Sequence, residues 1–369
     1  MSSQARHLAG PLFLPLQAFH HPLSNDPTLI WTLVIIAVAV ALTTTGLVWV
    51  VRGQLLRHEI LDRPNDRSSH VVPTPRGGGL GVIAVLLPAW LIIAFVVPDT
   101  DPVAGWLIPL SALALAIVSW IDDLRTLGAL PRLAVQLGAA IAGVLVLPGL
   151  VFQGLFPPWL DTTITVIGWI WFVNLFNFMD GIDGISGIES IGIGAGILAI
   201  GLLMIDSLSA THLHGLAIAA ASLGFLVWNW PPAKIFLGDI GSVPLGYLLG
   251  WLLLALSASG QWEAAMILPL YYLADATLTL LRRLQRGEKI WRAHREHYYQ
   301  KAVQNGRSHG QVSGAVGLVN VLLILLAAGT TMLADDSIWR FTTLAAAALL
   351  VLALLVWMKR TTIPANSAG

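Results

Sequence analysis

Hydrophobic residues along the chain come in long blocks, and polar residues collect in the short gaps between them. The blocks lie near residues 29–51, 79–97, 103–120, 133–150, 162–178, 187–205, 210–228, 243–258, 262–281, 312–333 and 338–358. Each is close to or above the roughly 18 apolar residues a helix needs to cross a bilayer. In lipid the backbone must satisfy its own hydrogen bonds, which favours helices. The pattern predicts an all-α polytopic integral membrane protein of about eleven transmembrane helices. No internal repeat or flexible linker divides it. We therefore expect one multi-span domain over 29–358, a poorly ordered N-terminal extension over 1–28 and a tail over 359–369.

Composition agrees with this reading and narrows the chemistry. The chain is 56% hydrophobic and 11% charged, against about 25% charged in a soluble domain. It has no cysteine, which excludes disulfides, thiolate metal sites and a cysteine nucleophile. Residues 1–28 carry one arginine and no basic cluster beside the first block, so that block reads as a retained span, not a cleaved signal. Net charge is zero, yet its placement is uneven. Eighteen of the 20 Lys and Arg fall in 52–78, 121–132, 229–242, 282–311 and the tail, and only Arg6 and Arg340 fall in the alternate gaps. The positive-inside rule makes the first set cytoplasmic, with the N-terminus outside and the C-terminus inside.

Four polar stretches then share the cytoplasmic face. In "SWIDDLRTLG", Asp122 and Asp123 follow an apolar block directly. Adjacent carboxylates repel, and a cation or proton relieves them. A solvated helix end is the plainer reading, although the C-terminal dipole disfavours acids there. In "NFMDGIDG", Asn177, Asp180 and Asp183 fall at helical spacing on one face, while Gly181 and Gly184 permit a break in the helix. They offer oxygen ligands for a hard cation or acceptors for a base edge. The further acidic positions of a calcium-binding EF-hand loop are missing. "KIFLGDIGS" sets Asp239 in a glycine-bracketed turn whose amides could face a ligand, preceded by Lys234 and by Phe236, which could stack on a base or sit at the interface.

The largest basic loop, 282–311, carries His294 and His297 on one helical face with Arg292 and Arg295, a mixture suited to phosphate or to anionic lipid. Before the second block, Ser68, Ser69, His70, Thr74 and Arg76 lead into Gly77-Gly78-Gly79, a possible anion site that lacks the P-loop pattern. Together the carboxylates, basic groups and glycine turns suit metal-assisted phosphoryl chemistry between a lipid and a soluble nucleotide.

The segments "PNDRSSHVVPTPRGGG", "IDDLRTLGALPR", "NFMDGIDG", "FLGDIGS" and "AHREHYYQ", in this order from about Asp62 to Gln311, resemble the polyprenyl-phosphate N-acetylhexosamine-1-phosphate transferases (glycosyltransferase family 4). The resemblance implies a multi-pass enzyme of a bacterial inner membrane. Such an enzyme moves a sugar-1-phosphate from a UDP-N-acetylhexosamine to undecaprenyl phosphate and releases UMP, with Mg²⁺ as cofactor and Mn²⁺ as an alternative ion. It implies that Asp122 and Asp123 are the catalytic pair at the lipid phosphate and reacting centre. Asn177 and Asp239 match metal ligands. Asp183 and Phe236 match the uracil-reading positions. Asp180 and Arg76 fall among the substrate-binding residues. Arg132 stands where relatives usually carry the lysine that meets the diphosphate. His294, Arg295 and His297 match the loop that approaches the donor.

Their separation, without a run of consecutive histidines, places the chain nearer the O-antigen or capsule-initiating branch than the phospho-MurNAc-pentapeptide branch. The rival class is a membrane transporter using carboxylates as a relay. It predicts charges in mid-span, whereas these sit at span ends. A CDP-alcohol phosphatidyltransferase expects an Asp spacing absent at 180–184, and no nucleic-acid partner is expected. Gly192 and Gly196 form a GxxxG that suits close helix packing without pointing specifically to a dimer, and a homodimer stays open among the partners.

Overall fold

The computed structural model of the chain describes residues 27–64, 72–97, 100–125, 127–203, 208–289, 294–332 and 337–361. Most of the expected N-terminal extension, Ser68, Ser69, His70, Arg292 and most of the tail lie outside the described residues. The elements in chain order are α1 (Pro27–Arg57), β1 (Leu61–Asp62), β2 (Thr74–Pro75), α2 (Gly79–Val96), α3 (Pro102–Arg125), α4 (Ala129–Val144), α5 (Pro158–Met179), α6 (Ile185–Leu203), α7 (Ala210–Asn229), α8 (Asp239–Ala258), α9 (Trp262–Ile267), α10 (Leu270–Gln285), α11 (Tyr298–Gln304), α12 (His309–Met332) and α13 (Ser337–Lys359). The protein is an all-α polytopic membrane protein. Among the described residues, nine helices are long and apolar enough to cross a bilayer.

Two of the eleven expected spans differ in form. The block at 133–150 is helical only over Ala129–Val144, and turns follow it. Pro148 and Gly149 lie just beyond, and a helix does not run on through such a pair. The block at 262–281 divides into the short α9 and the longer α10. Pro269, at the start of α10, has no N–H to continue the ladder.

Helix α8 is the axis of the bundle. It is buried along nearly its whole length, from Ile240 to Ser257, and packs against α3 and α5 on one side and α9 on another. Lipid gives helices no hydrophobic reason to associate, so small residues that admit close contact decide the packing. A side-chain carbon at Gly250 would lie 2.5 Å from the Trp169 ring, and one at Gly143 2.3 Å from it. That ring stacks on Tyr247 at 4.5 Å and donates to the Tyr247 carbonyl, tying α5 to α8. The GxxxG is used within the chain: Gly192 meets Asn320 of α12, and Gly196 meets Leu268.

The same close approach builds the site. Gly79 at the start of α2 crosses Gly241 at the start of α8, where a side-chain carbon would come within 2.3 Å of the Gly241 backbone. The amides of Gly77 and Gly78 donate to the Phe236 carbonyl, and that of Gly79 donates to the Leu237 carbonyl. Two glycine turns from distant parts of the chain are thus laced together at one end of the bundle.

Candidate active site

At that end α3 finishes, α4 begins and α8 begins, and each supplies acids or bases. Asp122 and Asp123 occupy the last turn of α3. The Leu127 amide and Arg132 Nη1 donate to Asp122, the latter at 2.7 Å. Asp123 accepts from the Ile240 amide at 3.1 Å and lies 2.9 Å from Arg76 Nη2. The same Arg76 nitrogen is 2.6 Å from Asp239 Oδ1, and Arg132 is 3.9 Å from Asp239 Oδ2. The acids are largely covered, with side chains 8%, 4% and 19% exposed for Asp122, Asp123 and Asp239. Three carboxylates and two guanidiniums therefore form one compact cluster. The unfavourable dipole expected for Asp123 is offset, because its carboxylate meets the N-terminus of α8.

Two expectations about free backbone amides are corrected. The glycine-run amides at 77–79 are spent on Phe236 and Leu237, so that turn is a structural splice and not an anion cradle. The Ile240 amide of the Asp239 turn faces Asp123, and the Gly241 amide caps Gly238. Gly238 has φ +76°, a backbone conformation that favours glycine.

Beside the cluster lies a cavity of about 460 Å³ between α3, α4, α5 and α8. Its polar end carries Asp239, Arg132, Asn177 and Asn174, and its walls are apolar, including Leu133, Ile167 and Trp171. Asn177 Nδ2 donates to Ser242 Oγ at 2.8 Å, which leaves its amide oxygen to serve as a ligand. Among the described residues no group of three or more His, Asp or Glu is placed to hold a metal unaided. Mg²⁺ needs no such cage, since it commonly takes one or two carboxylates plus substrate phosphates. Asp239 and Asn177, lining one cavity, fit that donor set.

Asp180, Asp183 and Asn177 do not share a helical face. Helix α5 ends at Met179, Asp180 caps it, and Gly184 has φ +80° before α6 begins. Asp180 is half-buried, and loss of solvation pushes its carboxyl up to about 7. Asp183 turns elsewhere. It accepts from the Ala233 amide at 3.0 Å and lies 3.2 Å from His309 Nδ1. The Phe236 ring is half-exposed, three residues beyond Ala233.

The histidine loop is not helical at His294 and His297, yet the two rings lie 4.9 Å apart. Arg295, between them, is half-buried. Burial, reinforced by nearby His297 and Arg283, lowers His294 to about 4, so it is neutral near pH 7. His297 is buried against Asp275, with Nδ1 3.2 Å from Oδ1. Tyr299, two residues on, donates to the Phe178 carbonyl and abuts Gly181. That contact joins the loop to the turn carrying Asp180.

Asp275 and His309 were not singled out from the sequence. For Asp275 a signal existed: one acid inside the apolar run "YYLADATL", a place where ionisable groups are costly without a purpose. His309 lies in a polar stretch of the sequence, at the start of α12, and carries no such mark.

Residues 106–257 match the model of glycosyl transferase family 4, a stretch that holds both adjacent aspartates, the 177–183 turn and Asp239. That stretch is similar to the family, and the protein is a transferase. It is 26% identical over 331 residues to a probable undecaprenyl-phosphate N-acetylglucosaminyl 1-phosphate transferase of Bacillus subtilis, covering 83% of this chain and 86% of that one. It is 28% identical over 332 residues to a decaprenyl-phosphate N-acetylglucosaminephosphotransferase of Mycobacterium leprae, 77% of each chain. A phospho-N-acetylmuramoyl-pentapeptide-transferase of Picosynechococcus is 29% identical over 350 residues, 83% of this chain and 89% of that one.

Proposed function

We propose that the protein transfers an N-acetylhexosamine-1-phosphate from a UDP-sugar to undecaprenyl phosphate, starting a cell-surface glycan such as an O-antigen or capsule. The observation that carries this is the convergence of Asp122, Asp123, Asp239, Arg76 and Arg132 in one cluster, of which Asp239 and Arg132 line the polar end of an apolar-walled cavity. Such a cavity suits a lipid whose head is a phosphate. The names of the relatives support the same chemistry.

In the proposed reaction an acceptor phosphate oxygen attacks the β-phosphorus of the donor. A diphosphate bond to the lipid forms as the bond to UMP breaks. Asp122 or Asp123 holds or deprotonates the acceptor. Arg132 contacts the donor diphosphate, and Arg76 keeps Asp123 and Asp239 from repelling each other. Asp239 and Asn177 would hold Mg²⁺, or Mn²⁺ in its place, which when bound neutralises charge on the departing phosphate. Asp183 and Phe236 read the uracil, Asp180 lies along the nucleotide path, and His294, Arg295 and His297 approach the donor phosphates and sugar. On this reading the site faces the cytoplasm of a bacterial inner membrane, which the distribution of basic loops supports.

The test is UMP release by purified protein with undecaprenyl phosphate, Mg²⁺ and a panel of UDP-sugars that includes UDP-MurNAc-pentapeptide. Release with an N-acetylhexosamine donor, abolished by EDTA, supports the proposal. Release with the pentapeptide donor alone moves the chain to peptidoglycan synthesis. Solute flux without UMP release would favour the transporter.

A further inference from the structure

Asp275 has no role in the chemistry described so far, yet it is completely buried and among the most heavily hydrogen-bonded side chains near the site. Oδ1 accepts from the Tyr298 amide at 2.9 Å and Oδ2 from the Tyr299 amide at 3.1 Å. Thr279 Oγ1 and Tyr271 Oη donate to it at 3.3 Å each. The remaining partner is the His297 ring, with Nδ1 3.2 Å from Oδ1. One carboxylate thus collects the first two amides of α11 and the imidazole of the residue before that helix.

Its position makes the contact consequential. Asp275 lies in the middle of α10, a helix of the bundle, whereas His297 belongs to the loop between α10 and α11. Asp275 already accepts from two amides and two hydroxyls, so toward His297 too it acts as an acceptor. The His297 nitrogen facing it must therefore carry the proton, which leaves Nε2 as the atom on the other side of the ring. Second partners of this kind fix both the tautomer and the orientation of a working histidine. The Tyr299 contact with Phe178 and Gly181 holds the same short helix against the Asp180 turn. The ring is therefore anchored from α10 while its helix is docked on α5.

We propose that Asp275 is a positioning residue, which holds His297 in the Nδ1–H tautomer with Nε2 presented to the phosphates of the donor. This rests on the transfer reading above. Phosphoryl oxygens reward a fixed donor more than a mobile one, because positioning and preset electrostatics supply most of the catalysis in such reactions.

The experiment compares Asp275→Asn, His297→Ala, the double variant and Thr279→Val, each shown folded by thermal unfolding. UMP release is measured while UDP-sugar and undecaprenyl phosphate are varied separately. Asp275→Asn should lower kcat/KM for the UDP-sugar by about 10- to 100-fold and leave KM for the lipid close to its original value. Placed on His297→Ala it should add almost nothing, since both changes remove one unit. Thr279→Val, which removes a different bond to the same carboxylate, should leave donor kinetics nearly unchanged. Losses that multiply in the double variant, or a lipid KM rising in step with the donor's, would overturn the inference. If Asp275→Asn does not fold, the imidazole ¹⁵N spectrum of His297 in the unmodified protein decides: an Nδ1–H ring supports the inference, and a neutral Nε2–H ring rejects it. Should the unmodified protein release no UMP with any donor, the transfer reading fails, and the spectrum still tests the Asp275–His297 pair by itself.

Discussion

Two polar clusters of the molecule are built on opposite principles. Around Asp122, Asp123 and Asp239, charge is met with charge: two arginines bridge three carboxylates drawn from the ends of different helices. Around Asp275, one carboxylate is met by amides, hydroxyls and an imidazole. The first arrangement is exchangeable. Under the proposed function a metal or a phosphate would enter by displacing an arginine contact, since the arginines are more than a third exposed while the acids are covered. The second is a fixture, enclosed and satisfied by its own chain. A substrate-handling centre needs the former, and the frame that aims side chains at it needs the latter.

This contrast can be broken most severely at Asp239. Asp239→Ala removes a proposed metal ligand and one arm of the Arg76 bridge, and UMP release should fall by at least about 10²–10³-fold, the scale of losing one preset electrostatic contact. Near-normal turnover in this variant would remove the metal assignment. Next in size, Arg76→Ala leaves Asp123 and Asp239 facing each other without their shared cation. Activity should drop by roughly tenfold or more (about 1.4 kcal/mol per decade), with Arg76→Lys restoring only part, because a single ammonium cannot reproduce the planar fork. Full rescue by lysine would show that charge alone matters there.

A milder effect is expected at Asp180, whose carboxyl is raised from 3.8 to about 7 by burial. The folded state keeps this proton over a range in which the unfolded chain has lost it. The resulting stability is complete below about 4 and is lost as pH rises through about 7. Thermal unfolding of the unmodified chain should show that decline, and Asp180→Asn should flatten it. Equal slopes in the two proteins would place the carboxyl in a wetter setting than the structure shows. Arg132→Lys should change least, since Asp122 keeps the Leu127 amide and a cation remains nearby. A large loss would mean that the guanidinium fork itself grips the diphosphate.

The two clusters also differ in how far the sequence exposes them. Asp122, Asp123 and Asp239 interrupt apolar blocks beside glycine turns, and hydropathy alone puts them on one face of the membrane. What hydropathy cannot show is which turn meets which. The lacing of Gly77–Gly79 to Phe236 and Leu237, which consumes the amides that looked free, depends on helices α2 and α8 crossing at two glycines. Likewise the spacing of Asn177, Asp180 and Asp183 fits a helix that in fact ends at Met179, with Asp180 as its cap. Asp183 joins Ala233 and His309 only because α7, α12 and the 180–184 turn meet in space. Asp275 left a faint trace as a lone acid in an apolar run, but its partner at His297 is 22 residues away across a bend.

The central claim is that phosphorus travels with the sugar. The most direct measurement uses a UDP-N-acetylhexosamine labelled with ³²P at the β-phosphorus, incubated with the protein, undecaprenyl phosphate and Mg²⁺, then partitioned between butanol and water. The account predicts label in the lipid phase, in amounts equal to the UMP released. Label that stays in the water as UDP while the sugar enters the lipid would mean transfer of the sugar without its phosphate, and would contradict it.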